Sequence, residues 1–144
     1  MGYQSEVCGV LAVDDRDPEK FKELIGKIKL IGEDFLNELR DREVGWKDGV
    51  FMFHAEDWKW YDDSPAVVAW DAIWEMAAGM DRQGQADRHG VSGIFIRLGE
   101  ELEDNVVEYI GEDAYKLEDY ACLSRSIRVD GSILGTKTTE EVQA

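Results

Sequence analysis

The chain reads as an α+β domain on a ferredoxin-like split βαβ plan with additional C-terminal antiparallel strands, and three observations predict it. Two stretches with apolar residues at helical spacing, opened by Asp17-Pro18 and Ser64-Pro65, alternate with runs of strand length. The resulting order is β-α-β-β-α-β followed by further strands. Its 144 residues, 44% hydrophobic and 10% aromatic, suit one globular domain over 1–134 with a polar tail at 135–144.

Each element has a local cause. Ser5–Val13 is mostly apolar and stops at Asp14-Asp15, which reads as a buried strand. Asp17 then supplies an N-cap and Pro18 the first helical position. Phe21, Leu24, Ile25, Ile28, Phe35, Leu36 and Leu39 recur every three or four residues, predicting a helix to about Arg40. A break is expected near Gly32, because glycine costs about 1 kcal/mol inside a helix.

Within Gly45–Ala55, the run Val50–Ala55 has the aromatic and β-branched content of a strand. A tight acidic connection at Glu56-Asp57 leads to Trp58–Tyr61, so the two segments read as a hairpin. Period two places Trp58 and Trp60 on one face of it, Lys59 and Tyr61 on the other. Ser64 and Pro65 open a second helix, with Asp62 and Asp63 suited to its positive end.

That helix reaches about Met80 and carries two apolar stripes: Val67, Trp70, Trp74, Ala77, and Val68, Ile73, Met76, Met80. Two such faces imply burial on both sides or a partner, so a homodimer through 65–80 is one expectation. A polar loop follows over 81–90, then strands at Val91–Leu98, Asn105–Ile110 and Leu123–Val129. The tail from Gly135 is expected to fray.

Thirty-two acidic against 16 basic side chains give a net charge of −16. Such a charge disfavours direct contact with nucleic-acid phosphates and with anionic membranes, and favours a partner with a basic surface. No apolar run approaches the roughly 20 residues of a membrane span, and the N-terminus lacks the basic and apolar regions of a signal peptide. Cys8 and Cys122 are too few and too far apart for a disulfide framework or a zinc site, and read as free thiols. A cytoplasmic location is therefore expected.

No catalytic residues, metal ligands or cofactors are expected. His54 and His89 have no motif tying them to a nucleophile, and His54 alternates with Val50 and Met52 like a satisfied sheet histidine. Gly90-Val91-Ser92-Gly93 lacks the lysine and the context of a phosphate loop.

Four segments occur together: Met1-Gly2-Tyr3-Gln4-Ser5-Glu6-Val7, Trp58–Asp63, Arg97-Leu98-Gly99-Glu100-Glu101, and Arg125-Ser126-Ile127. In this order they resemble a set of small phage-encoded proteins that begin Met-Gly-Tyr-Arg-Ser and carry Lys-Trp-Tyr-Asp and Arg-Ile-Gly-Glu. Gln4 and Leu98 stand where that pattern has arginine and isoleucine. The likeness runs through most of the chain and implies an origin rather than a mechanism. By analogy, small acidic phage proteins are often inhibitors of bacterial defence systems.

Two segments are candidate sites. Glu100–Asp119 holds nine acids against Lys116, a net −8. Glu100, Glu101, Glu103, Asp104, Glu108, Glu112 and Asp113 are its candidate partner-binding residues. One reading is a solvated edge that discourages sheet-to-sheet pairing. Another is a phosphate mimic: duplex phosphates recur about every 3.4 Å and same-face strand residues about every 6.7 Å. A third is a carboxylate metal site, although no EF-hand pattern is present.

The second candidate is Lys59, Trp60, Tyr61 and Arg97, which on one sheet surface would suit a phosphate-bearing ligand. The competing reading there is a core strand handing its aspartates to a helix. The leading functional expectation is a non-enzymatic phage-encoded inhibitor of the anti-CRISPR or anti-restriction type. It binds a host protein with a basic surface, including nucleic-acid-binding defence complexes. The alternatives are a sponge for a nucleotide signal and an oligomeric scaffold.

Overall fold

Strand β1 (Ser5–Val13) is apolar on both faces because it runs through the centre of a sheet that is covered twice. The computed structural model describes residues 4–83 (80–83 by backbone alone), 90–100, 104–111, 114–123 and 126–137. After β1 come α1 (Pro18–Ile31), α2 (Glu33–Glu38), β2 (Glu43–Lys47), β3 (Val50–Trp58) and α3 (Pro65–Gln83). Then follow β4 (Val91–Leu98), β5 (Asn105–Ile110), β6 (Ala121–Leu123) and β7 (Ile127–Val129). The sheet order is β2-β3-β1-β4-β5 with every neighbour antiparallel, and β6 and β7 form a separate hairpin. The fold is α+β.

Alternation along the strands sends side chains into two cores. Val7, Leu11, Phe53 and Phe95 face the helices and meet residues such as Phe35 and Trp70. Cys8, Val10, Met52 and Ile96 face the other way, under Leu117 and Ile127 of the C-terminal segment. All five tryptophans join the helix-side core: Trp46 lies against Phe51, Trp58 stacks on Phe35 at 5.7 Å, and Trp60 meets Phe95 at 5.6 Å. Trp70 and Trp74 lie 5.8 Å apart beside them.

The Asp17 carboxylate accepts from the N–H groups of Glu19 (2.9 Å) and Lys20 (3.3 Å), which caps α1 as expected. The helix breaks at Gly32, also as expected, but close packing is the stronger cause. A Cβ there would overlap Ile73 Cδ1 of α3 and sit 2.8 Å from the Ile28 carbonyl oxygen.

The hairpin lies elsewhere than the aromatic pattern indicates. Its turn is Asp48-Gly49, with φ of 54° and 82°, joining β2 to β3. Two positive φ values in a two-residue connection suit the right-handed twist of the flanking strands. Strand β3 continues through Glu56-Asp57 to Trp58, and residues 59–64 are a loop rather than a returning strand.

Helix α3 also differs from expectation. Val67, Trp70, Ile73 and Ala77 are buried, but Val68 is exposed beside Asp71, Ala72 and Glu75, so only one face is sealed. Its backbone runs on through Asp81–Gln83, where a loop was expected; residues 84–89 of that loop, with His89, lie outside the described residues. The single strand expected over Leu123–Val129 is two short strands, with Leu123 opposite Ile127. The tail is tied down through Lys137: Gly135 N–H donates to Val44 O (2.9 Å) and Trp46 N–H to Thr136 O (2.8 Å).

Candidate functional site

Strand β5 is last in the sheet order and is therefore an edge. Glu108 lies opposite Phe95 and so projects on the helix side, while Val107 and Tyr109 lie opposite Ile96 and Ile94 on the other. Val107 is 37% and Tyr109 48% exposed, large values for apolar positions on a strand. The Tyr109 hydroxyl donates to Glu118 (2.7 Å), and that bond, helped by slight burial, pushes its pKa up.

Glu108 has acidic company that the chain brings from elsewhere. The Asp71 carboxyl on α3 is pushed up first by burial and then by Asp62, Glu108 and Glu75. Four carboxylates from a loop, a helix and an edge strand thus share one corner. Counting charge along Glu100–Asp119 finds only one of the four. Asp62, by sequence, is accounted for as a helix-end residue.

The rest of the acidic strip is divided. Asp104 grips Arg97 through two bonds, Nη2–Oδ1 at 2.8 Å and Nη1–Oδ2 at 3.2 Å. This pair and the Gly99 N–H donating to Asp104 O (2.7 Å) close the β4–β5 connection. Glu100 is exposed nearby. Glu101, Glu103, Glu112 and Asp113 lie outside the described residues.

The alternative ligand residues meet only in part. Trp60 covers Phe95 on the helix side, the side Arg97 shares by strand alternation. Lys59 and Tyr61 are exposed on a loop, where period two does not apply. Arg97 is held by Asp104 and its Nη1 reaches Ser5 Oγ (3.5 Å), so a phosphate there has to displace a carboxylate.

One constellation was not legible in the sequence. His54, 6% exposed, lies between two carboxylates: Nε2 is 2.8 Å from Glu6 and Nδ1 3.0 Å from Glu43. Burial pushes its pKa down, but the hydrogen bonds to Glu43 and Glu6 and their charges push it up further. It borders a hollow of about 460 Å³ lined also by Asp41, Arg42, Glu56 and Asp57. Arg42 lies 4.5 Å over the Trp58 ring and donates to the carbonyls of Glu38 (2.9 Å) and Asp57 (3.4 Å).

With both ring nitrogens engaged, His54 offers no lone pair to a metal. Among the described residues, no group of His, Cys, Asp and Glu is arranged to hold a metal ion. Burial, Glu6 and Glu43 push the neighbouring Cys8 thiol far up, which suppresses the thiolate. His54 is thus the satisfied sheet histidine its alternation indicates, with partners that only the strand register reveals.

No family model matches the chain, and no curated protein or solved structure is significantly similar to it. No described helix is long and apolar enough to cross a membrane. The class defined by fold and site is an α+β domain with an acidic, partly apolar sheet edge.

Proposed function

We propose that this chain is a non-enzymatic phage-encoded inhibitor that binds and blocks a bacterial defence component through its acidic β5 corner. It acts in the manner of anti-CRISPR or anti-restriction proteins, on a host protein with a basic surface. The observation that supports this reading is the convergence of Asp62, Asp71, Glu75 and Glu108 beside an exposed strand. Like charges held together repel in the free protein, and a basic surface relieves that repulsion on binding. The net charge of −16 steers such a partner over distance. His54 and Cys8, the side chains best suited to chemistry, are respectively engaged and suppressed, which favours binding over catalysis. The phage resemblance supports the setting.

The test is phage plating on bacteria carrying an RNA-guided nuclease or a restriction system, with this protein expressed in trans. Plating recovers against at least one system. The doubly charge-reversed Asp62→Lys/Glu108→Lys protein, shown folded by circular dichroism, loses that recovery. Unchanged recovery by the variant refutes the acidic-corner assignment, and no recovery against any system refutes the inhibitor reading.

A further inference from the structure

The two edges of the sheet are finished differently. At β2 the chain closes its own edge, with backbone bonds between Gly135 and Val44 and between Thr136 and Trp46. At β5, among the described residues, no backbone group bonds to the outer side of the strand. A row of unpaired N–H and C=O groups is a template for another strand.

We infer that the β5 edge is a strand-pairing site that takes an extended partner segment in which basic and apolar residues alternate. This rests on the acidic-surface reading and deepens it by naming the bound form of the partner. The alternation follows from the two faces of β5. On the helix side, an incoming Lys or Arg meets Glu108 with Asp62, Asp71 and Glu75 behind it. On the other side, an incoming apolar residue covers Val107 and Tyr109, with the exposed ring of Tyr115 close in sequence. Six residues of β5 offer about 20 Å of edge, the length of an ordinary strand.

A second copy of this chain is the wrong occupant on charge. Antiparallel self-pairing along β5 brings the Glu108 side chains of both copies to one short face, and with them two four-carboxylate corners. Edge carboxylates of this kind block self-association while leaving the edge open to a basic strand. The site thus selects by backbone geometry and charge together.

The probe is a capped peptide of about eight residues, enough to span β5, that alternates lysine and valine. A shuffled peptide of the same composition and an alternating glutamate–valine peptide are the controls. Binding to the full chain is followed by amide NMR shifts and hydrogen exchange. The alternating lysine peptide is expected to slow exchange of amides within Asn105–Ile110 and to bind about tenfold tighter than the shuffled one, as two or three cross-strand pairs allow. The glutamate peptide is expected not to bind.

Equal binding of lysine-alternating and shuffled peptides, without slowed β5 exchange, overturns strand pairing and leaves the acidic-surface reading standing. Binding of neither lysine peptide overturns both. A concentration-dependent dimer with protected β5 amides in the absence of peptide overturns the choice of occupant.

Discussion

Replacing His54 by phenylalanine keeps a flat ring between the strands and removes both bonds that bridge Glu6 and Glu43. When protonated, the imidazole donates to both carboxylates at once, at 2.8 and 3.0 Å. A hydrogen bond to a charged group contributes about 1.5–3 kcal/mol, which suits the well-covered Glu6. Glu43 is mostly exposed, so its bond is screened and contributes about 0.5 kcal/mol. The substitution therefore costs about 2–3.5 kcal/mol where His54 is charged, or about 1 M urea or more in the unfolding midpoint.

The cost depends on pH with a definite sign. The folded pKa of His54 lies above 6.5, its unfolded value, so the histidine contribution is complete below pH 6.5 and is lost as pH rises through the folded value. A neutral imidazole donates to only one carboxylate and turns a lone pair on the other. Urea unfolding of both proteins between about pH 5, above the carboxylate range, and pH 9 measures the difference. The gap is widest at the acid end and shrinks towards the alkaline end. A gap that stays constant, or widens with pH, refutes the bridging role.

Four further outcomes are expected. Gly9→Ala puts a Cβ onto Phe53 and 3.0 Å from Trp70 Cη2, so thermal unfolding shows a loss of about 1–3 kcal/mol. Gly49→Ala forces a side chain onto φ +82° and to 2.8 Å from Arg16 Cδ, and costs at least about 1–2 kcal/mol in denaturant titration. Truncation after Leu134 removes the bonds of residues 135–137 to β2, and sedimentation shows association that the full chain lacks. A double-mutant cycle of Arg97→Ala and Asp104→Ala yields a coupling of about 1 kcal/mol, since the pair is bidentate but only partly buried.

What the sequence determined by itself is what near neighbours decide. Ser5–Val13, the Asp17 cap, the start of α3, and strands β4 and β5 all follow from caps and periodicity, whose effects act within a few residues, whereas the break at Gly32 is shared between glycine's local cost and its packing against Ile73. The hairpin also had a local signal, Asp48-Gly49, but the aromatics of Trp58–Tyr61 imitate a returning strand, although Trp58 ends β3 and Trp60 packs from a loop against Phe95.

Only the tertiary structure decided what long-range packing controls. The C-terminal segment buries the second face of the sheet, and residues 135–137 close the β2 edge, while among the described residues no backbone group pairs with the outer side of β5. Strand register sets His54 between residues 48 and 11 positions away. The acidic corner draws Asp62, Asp71 and Glu75 from outside the charged run to the side of Glu108. A charge count along the chain measures how much acid there is; where it gathers depends on which faces meet, and that is settled only when the layers close.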